Sequence, residues 1–414
     1  MWIYNGLHTI SGDFCQKPLS RFQLIRKPTP SGVIKSSVQV VKAPRHSRAV
    51  LDNSKHSISF TLNKNKAVVV EYDLDISTDM FQIGRSSEPQ IHFTVVDTWL
   101  GVAKDPDQIQ QAKLQSTISR FSCRLLVERD PPYAARLYAA GFDSSKNIFL
   151  GERATKWTTS NGEIDGLTTN GILILHPVFD CDDNHQTNSY VWREVSVGGE
   201  IYTLRETRSA LQRGKLVSNE TNVLTDGSLI DLCGATLLFR TADGLSKGPS
   251  KRQLESVLDE LNAGRPQCPV SLNTLVIPRG RHRALSSTTG HPPPLISEQL
   301  PFVYFGCGHI QGGHAWGHKN EGQMHECPLC YVESDAITQV SMGMETAFHL
   351  DSEKPNYAFV PCGHMASLRT VRYWSRIPLP RGSNSFRPVC PFCTTELDEQ
   401  KPFVKLIFQD HCDS

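Results

Sequence analysis

A pattern of cysteine and histidine residues occurs twice in the C-terminal third of the chain. The first copy reads FGCGHIQGG and then HECPLCYVE; the second reads FVPCGHMASL and then RPVCPFCTTE. Each copy is a Cys-x-His pair, a spacer and a Cys-x-x-Cys turn. Thiolates and imidazoles arranged in such turns complete a tetrahedral shell suited to zinc. The predicted ligands are Cys307, His309, Cys327, Cys330, Cys362, His364, Cys390 and Cys393.

These ligands predict two zinc ions with four protein ligands each, and a site that leaves no position for water is structural, not catalytic. The chain has 12 cysteines, which in a reducing compartment indicate metal binding more than disulfides. Two pairings are compatible with the order of the ligands. In a sequential arrangement each copy binds one ion. In a cross-brace, the two Cys-x-His pairs share one ion and the two Cys-x-x-Cys turns share the other.

A further cysteine, Cys268 in RPQCPVS, resembles half of another zinc turn. Ser271 stands where the second thiol of that turn would be. A turn with a single thiol does not complete a metal site, and free cysteines are among the most buried residues in proteins. We therefore expect a buried or free thiol at Cys268.

Composition and charge narrow the classes of protein. A chain of 414 residues is expected to form two or three domains. Lys plus Arg (43) almost balance Asp plus Glu (42), which predicts neither a nucleic-acid partner nor a charged membrane surface. No apolar run reaches the ~18 residues that span a bilayer, and MWIYNGLHTI lacks the features of a secretory signal. We expect a cytoplasmic protein that does not insert into membranes.

The region from Ser57 to about Arg240 consists of short β-like runs separated by turn residues. Their β-branched and aromatic content and their close spacing predict a β-sandwich. The clearest runs are Ala67–Tyr72, Ile91–Asp97, Phe121–Arg129, Ala135–Phe142, Gly171–Pro177, Glu200–Glu206 and Ala235–Arg240.

One helix is predicted after this β region, in SKRQLESVLDELNAG. Its apolar residues recur at helical spacing and form one face; they are Leu254, Val257, Leu258 and Leu261. Ser250 and Gln253 fit a capping box, and Gly264 is expected just after the last helical residue. The helix is expected to join the β region to the zinc region.

The order of the eight zinc ligands resembles the RING-like domain of the Pellino family. The resemblance extends beyond the ligands to SISFTLNKNKAVVVEY, TDMFQIGRSSE, STISRFSCRLL, AAGFDSSKNIFLGE, DGLTTNGILILHP and DGSLIDLCGATLLFR. It covers the chain from about Arg21 to the C-terminus.

The resemblance implies a mainly β protein with three parts. Residues 1–243 would form an atypical forkhead-associated (FHA) β-sandwich with an inserted wing, which binds phosphothreonine. Residues 244–265 would form the connecting helix, and residues 266–414 a RING-like α+β domain with two zinc ions.

The implied function is that of a RING-type E3 ubiquitin ligase, a transferase of the ubiquitin-conjugation pathway. Its FHA domain would bind phosphorylated kinases of the Pelle/IRAK type in Toll and interleukin-1 receptor signalling of innate immunity. Its RING-like domain would promote transfer of ubiquitin from a charged E2 without a covalent intermediate. The alternative is a non-catalytic scaffold or decoy that binds the same phosphoproteins.

FHA domains bind phosphothreonine through loops at one end of the sandwich. By that resemblance, we expect Arg85 to be the main phosphate ligand, with Ser119 and Arg120 adding a hydroxyl and a second charge. Thr169 and Asn170 would hold the peptide backbone or the phosphate. Two departures from typical FHA sequences stand out: Ser122 replaces a histidine, and Asn147 in SSKNIFLGE is a rival for the FHA asparagine.

RING domains bind E2 enzymes through apolar residues beside the zinc loops. The candidate contacts here are Ile310, Pro328, Leu329 and Pro391, whereas Trp374 and Phe392 are expected in the core. Many RING ligases carry a basic residue directly after the last zinc ligand, where it touches ubiquitin. That position is Thr394 in this chain, which leaves the scaffold alternative open.

Overall fold

The computed structural model describes residues 3–10, 21–44, 54–95, 117–177, 190–279, 297–313, 324–381 and 385–409. The chain divides into two units, Met1–Ala242 with Pro380–Phe386 and Asp243–Leu379 with Arg387–Ser414. Strands predominate among the described residues of the first unit, and the second unit combines short strands with helices, so the prediction of a mainly β fold is confirmed.

The strands of the first unit follow one another closely along the chain. They are β1 (Ile3–Ile10), β2 (Arg21–Ile25), β3 (Gly32–Lys42), β4 (His56–Asn63), β5 (Lys66–Asp75), β6 (Thr78–Gly84), β7 (Phe93–Thr94), β8 (Cys123–Glu128), β9 (Ala135–Ala139), β10 (Asn147–Leu150), β11 (Lys156–Thr158), β12 (Ile164–Gly166), β13 (Ile172–Leu175), β14 (Arg193–Val195), β15 (Ile201–Thr203), β16 (Leu229–Asp231) and β17 (Thr236–Phe239).

Most of these strands belong to three sheets, and β11 and β12 form a separate hairpin. A seven-stranded sheet has the order β15-β14-β13-β16-β17-β1-β2. The two four-stranded sheets have the orders β10-β4-β5-β3 and β7-β6-β8-β9. Buried residues from all three sheets form one apolar cluster, as expected for a sandwich whose inner faces pack together.

Register explains why particular runs face this cluster. In the β4–β5 pair, Ile58 lies opposite Val70 and Phe60 lies opposite Val68, and all four side chains are buried. Residues directly opposite in an antiparallel pair point to the same face of the sheet. Each predicted strand has an observed counterpart, although the described part of the predicted run Ile91–Asp97 contains only the short strand β7, and residues 96–97 lie outside the described ranges.

The second unit combines short strands with one short and two longer α-helices. Its helices are α1 (Ala242–Lys247), which begins at the boundary between the units, α2 (Lys251–Ala263) and α3 (Leu368–Arg376). Its strands are β18 (Phe302–Tyr304), β19 (Ile310–Gln311), β20 (His325–Glu326), β21 (Glu333–Ser334), β22 (Ile337–Gln339), β23 (Ser341–Met342), β24 (Tyr357–Phe359), β25 (His364–Ala366) and β28 (Phe403–Lys405). A hairpin of β26 (Pro378–Arg381) and β27 (Ser385–Pro388) precedes β28.

Helix α2 begins as predicted. Ser250 is its N-cap, and Ser250 and Gln253 form the reciprocal hydrogen bonds of a capping box. Leu254 and Leu258 are buried in the core of the second unit. Gly264 directly follows the last helical residue, as expected, but it keeps a right-handed φ of −65°, and Arg265 takes the left-handed φ of 46°. None of the helices in the described ranges is long and apolar enough to cross a membrane.

Candidate functional sites

The eight predicted metal ligands form two clusters, and each cluster holds one copy of the sequence pattern. The first comprises Cys307, His309, Cys327 and Cys330; the second comprises Cys362, His364, Cys390 and Cys393. Within each cluster the ligand atoms lie within 4.8 Å of one another. The ligands are therefore paired sequentially and not as a cross-brace.

The distances within the clusters fit a tetrahedral ion. The Nδ1 atom of His309 lies 3.3 Å from the Cys307 sulfur and 3.6 Å from the Cys327 sulfur. The Nδ1 atom of His364 lies 3.8 Å from the Cys390 sulfur. Sulfur and nitrogen bound to one zinc ion at their usual bond lengths stand about 3.6 Å apart. Both histidines thus present Nδ1 to their cluster.

Both Cys-x-x-Cys turns have the same backbone structure. The Tyr331 N–H donates to the Cys327 carbonyl at 2.8 Å, and the Cys327 N–H donates to the Val332 carbonyl at 3.0 Å. Thr394 donates to the Cys390 carbonyl in the same way, at 2.7 Å. Tyr331 and Thr394 have left-handed φ angles of 60° and 56°, a conformation that reverses the chain directly after each second thiol.

The shifted pKa values of the thiols also favour a bound metal ion. Burial raises the pKa of Cys307 to about 12 and that of Cys390 well above its ordinary value. Hydrogen bonds with Cys362 and Cys390 lower the pKa of Cys393. The protein alone therefore does not stabilise every thiolate in a cluster. A divalent cation bound by the four ligands would do so, because a bound cation is the largest local charge in its site and deprotonates the thiols that bind it.

Cys268 begins a third turn of the same type. The Leu272 N–H donates to the Cys268 carbonyl at 2.9 Å, and the Cys268 N–H donates to the Asn273 carbonyl at 2.9 Å. The thiol is buried, and its sulfur accepts a hydrogen bond of 3.4 Å from the Ser271 N–H. The turn thus has the backbone structure of a zinc turn with a single thiol, and that thiol is buried, as the sequence suggested.

The candidate E2 contacts differ in exposure. Leu329 is 44% exposed, whereas Ile310 is 2% exposed in the core of the second unit. Pro391 is buried and Pro328 is half-buried, so Leu329 presents the most surface of the four. The core expectation for the two aromatic residues agrees with the packing. Trp374 is buried and its ring stacks edge-on against Phe348, which also contacts the ring of Phe392.

Two apolar residues beside Leu329 were missed in the sequence. Tyr331 is 73% exposed and Val332 is 42% exposed. They are the two residues after Cys330, and Tyr331 has the left-handed φ of 60°. Apolar residues immediately after the last cysteine of the first copy were the available sequence signal. With Leu329 they form an exposed apolar patch, which we call the first-turn patch.

Arg85 directly follows β6, and two hydrogen bonds attach it to the neighbouring turn. Its N–H donates to the Ser119 carbonyl at 3.2 Å, and its Nε donates to the Ile118 carbonyl at 2.8 Å. Gly84 permits this approach, since a Cβ there would lie 2.0 Å from the Arg120 carbonyl oxygen. Within the described residues, the two terminal guanidinium nitrogens of Arg85 make no hydrogen bond and the residue is exposed. Its charge is therefore accessible to an anion.

Ser122 stabilises the turn that carries Ser119 and Arg120. It is buried, and its hydroxyl donates to the Ser119 carbonyl at 2.9 Å. The replacement of a histidine at this position thus still leaves a side chain that holds the turn. Arg120 is exposed, and its guanidinium lies 5.7 Å from the centre of the Phe121 ring.

Asn170 lies in the loop before β13 and contacts the turn that carries Ser119. Its Nδ2 donates to the Thr117 carbonyl at 2.6 Å and lies 3.5 Å from the Ser119 hydroxyl oxygen. Thr169 is its exposed neighbour. The structure therefore brings Arg85, Ser119 and Asn170 to one end of the first unit, with Arg120 and Thr169 beside them.

The rival asparagine, Asn147, has a different environment. It lies on β10 and is 8% exposed. Its Oδ1 accepts hydrogen bonds from the hydroxyls of Ser57 at 3.2 Å and Ser59 at 3.0 Å, both on the adjacent β4. These contacts give Asn147 a structural role between two strands.

Comparisons with known proteins agree with these two regions. The models for "Pellino, FHA domain" and "Pellino, RING domain" match residues 3–257 and 261–413. "Protein pellino" of Drosophila melanogaster is 51% identical over 413 residues, which are 99% of this chain and 92% of the relative. "E3 ubiquitin-protein ligase pellino homolog 2" of Homo sapiens is 50% identical over 396 residues, 95% of this chain and 90% of the relative. The human "E3 ubiquitin-protein ligase pellino homolog 3" is 48% identical over 414 residues, which are 99% of this chain and 84% of the relative. The resemblance seen in the sequence is confirmed, and the chain belongs to the Pellino family.

Proposed function

We propose that this protein is a RING-type E3 ubiquitin ligase that recruits a phosphorylated protein through its FHA domain. The two complete Cys/His ligand sets carry the proposal, together with the match of this chain to the Pellino RING domain and with relatives that are named E3 ubiquitin-protein ligases. The phosphoprotein would be a kinase of the Pelle/IRAK type. The reaction would take place in the cytoplasm, in Toll and interleukin-1 receptor signalling.

The two ligand sets fit two zinc ions with structural roles. Bound zinc stabilises the loops and supplies folding free energy that short strands alone do not. Because four protein side chains occupy each set, no coordination position is left for water or for ubiquitin. The zinc ions thus support the E2-binding surface and take no part in the transfer reaction.

The first-turn patch is the proposed docking surface for the E2. The patch is apolar and exposed beside Cys330, where it is supported by the first ligand set. By binding a charged E2 and the substrate together, the ligase converts a bimolecular attack into an effectively unimolecular one. The substrate lysine attacks the E2 thioester directly. The eight zinc-ligand thiolates and imidazoles are occupied by structural roles in this proposal, and the transfer would need no ubiquitin thioester on this chain.

The cluster of Arg85, Ser119 and Asn170 is the proposed phosphothreonine site. A phosphate group carries close to two negative charges and three strong acceptor oxygens. Arg85 offers a guanidinium whose terminal nitrogens point to no protein acceptor in the described residues, and hydrogen bonds from a guanidinium to phosphate are among the stronger ones. Arg120 adds a second charge, and Thr169 and Asn170 would contact the peptide.

An autoubiquitination assay with E1, ubiquitin and a panel of E2 enzymes tests the ligase. Wild type should form chains, and Cys327→Ala/Cys330→Ala should form none. Binding is tested with a labelled peptide library that has phosphothreonine at its centre and randomised flanks. Arg85→Ala should abolish binding, whereas Arg153→Ala, which removes another exposed arginine of the same unit, should not.

The second candidate function is a scaffold that binds phosphoproteins and discharges E2 poorly. Thr394 favours it, because this residue follows the last zinc ligand where many RING ligases have a basic residue. Wild type that binds the phosphothreonine library but forms no chains with any E2 would support the scaffold. Thr394→Arg would then be expected to raise ubiquitin discharge.

A further inference from the structure

Two buried ion pairs lie behind the loop Thr168–Gly171, which carries Asn170. Arg205 pairs with Glu194 through two hydrogen bonds, 3.0 Å from Nε and 2.7 Å from NH2, and both side chains are 2% exposed. Arg208 pairs with Asp231, and their side chains are 10% and 3% exposed. Sequence patterns gave no indication of either pair.

Buried ion pairs of this kind contribute little net stability to a fold, because the cost of removing both charges from water offsets their attraction. Burial raises the pKa of the Glu194 carboxyl in spite of the hydrogen bonds from Arg205, which reflects the cost of removing this charge from water. Buried ion pairs can often be replaced by apolar residues with no loss of stability, and some serve to specify one conformation. The question is therefore which conformation these two pairs specify.

The register of the sheet places the two carboxylates on either side of one residue. Glu194 on β14 and Asp231 on β16 both lie opposite Leu173 of β13. Strand β13 begins at Ile172, directly after the loop. The two pairs therefore flank the strand at the point where the loop enters the sheet.

Both guanidiniums also bind the backbone of the loop. Arg205 NH2 donates to the Thr168 carbonyl at 2.9 Å. Arg208 NH1 donates to the Asn170 carbonyl at 3.3 Å and lies 3.5 Å from the Gly171 carbonyl oxygen. Three backbone carbonyls of the loop are thus bound by two side chains that are themselves held by buried carboxylates.

Gly171 shows how closely the loop is packed against the first pair. Its φ is +67°, and a Cβ at this position would lie 2.6 Å from the Glu194 Oε1 atom. On its other side the loop reaches the turn beside Arg85, through the hydrogen bond from Asn170 to Thr117. The loop therefore connects the two ion pairs to the candidate phosphate site.

We propose that Arg205 and Arg208 are positioning residues that hold the Thr168–Gly171 loop so that Asn170 is preorganised for a phosphothreonine peptide. The inference rests on the proposed phosphopeptide binding. Neither arginine needs to touch the ligand. Each acts through the backbone of Asn170 and its neighbours, and the benefit is a smaller ordering cost when the peptide binds.

The test replaces each pair as a whole, so that no unpaired charge is left buried. The variants are Arg205→Met/Glu194→Leu and Arg208→Met/Asp231→Asn. The matched control is Arg193→Met/Glu220→Gln, because Arg193 and Glu220 form an ion pair with three hydrogen bonds in the same unit, and their side chains are 20% and 30% exposed. No hydrogen bond among the described residues joins the control pair to the loop.

Affinity for the phosphothreonine library is expected to fall about tenfold in both loop variants, while the control stays close to wild type. Amide hydrogen exchange at 168–171 should become faster in the free loop variants. In an Asn170→Ala background the same replacements should cause little further loss, because residues that act as a unit are not additive. A merely structural role would not give this dependence on Asn170.

The possible failures are distinguishable. If wild type and Arg85→Ala bind the library equally weakly, the proposed phosphopeptide function fails and the inference fails with it. If wild type binds and Arg85→Ala does not, but both loop variants bind like wild type, only the positioning inference is overturned. Equal losses with and without Asn170, or unchanged exchange at 168–171, would overturn it as well.

Discussion

The side-chain amide of Asn170 donates a 2.6 Å hydrogen bond to the Thr117 carbonyl. This bond joins the loop before β13 to the turn that Arg85 also contacts through the Ile118 carbonyl. Two segments that are far apart in the sequence therefore meet at one end of the sandwich. Loops held by a rigid β-sandwich are frequent binding sites. Asn170 therefore differs from Asn147, which is buried between two strands.

The substitutions Asn147→Ala and Asn170→Ala are expected to have different effects. Asn147→Ala leaves the hydroxyls of Ser57 and Ser59 without their shared acceptor, and the free energy of unfolding should fall by about 1–3 kcal/mol. Asn170→Ala should weaken binding of the phosphothreonine library with a smaller loss of stability. Thermal unfolding and fluorescence anisotropy measure the two effects. A stable Asn147→Ala variant that no longer binds the library would reverse this assignment.

The pairing of the zinc ligands can be tested by counting bound zinc in double variants. Cys307→Ser/Cys330→Ser disrupts one cluster of the structure and should leave one ion per chain. Cys307→Ser/Cys362→Ser disrupts both clusters and should leave none. Elemental analysis after dialysis gives the stoichiometry. A cross-brace predicts the opposite result for the two variants, so each serves as the control for the other.

The first-turn patch should be required for ubiquitin discharge but not for folding. Leu329→Ala, at a residue 44% exposed, should change stability by less than about 0.5 kcal/mol and slow discharge of the charged E2. Ile310→Ala, in the core, should lower the free energy of unfolding by about 2–5 kcal/mol. Single-turnover assays measure discharge of the charged E2, and thermal unfolding measures the stability of both variants. Normal discharge by Leu329→Ala with every E2 would exclude the patch as the docking surface.

The first unit is expected to lose stability as the pH falls below neutrality. Burial, with the nearby charges of Lys146 and Arg124, lowers the pKa of His56 to about 4. In the unfolded chain this histidine titrates near ~6.5, so between about pH 6.5 and 4 the unfolded state binds more protons and the free energy of unfolding decreases. Above this range His56 is neutral in both states and contributes no pH dependence.

Urea unfolding of wild type and His56→Gln across this range measures the effect. The variant should show a shallower decrease, since it removes a group that is protonated only after unfolding. Lys146→Gln should have a partial effect, because it removes one of the charges that lower the His56 pKa. Identical pH dependence in wild type and His56→Gln would show that other groups are responsible.

Several features were predictable because they depend on local sequence. The Ser250–Gln253 capping box involves groups three residues apart, and it starts α2 as predicted. Uniform apolar runs such as AVVVEY indicated β5. Strand β3 was not predicted, because it lies before Ser57 and most of its side chains are exposed, without an apolar run or a regular alternation. Helix α2 ends before Gly264 as predicted, but the left-handed φ at its end belongs to Arg265 and not to Gly264.

The sequence by itself predicted the eight candidate metal ligands, because short spacings and the chemistry of thiolates and imidazoles indicate a zinc-binding set. It also indicated the residues of the candidate phosphate site. Only the tertiary structure decided that each copy of the zinc pattern forms its own cluster, and that Asn170 rather than Asn147 lies beside the turn that contacts Arg85. Arg205 and Arg208 became visible only there as well. These relationships join residues distant in the chain, and they depend on strand register and packing, which local sequence patterns do not specify.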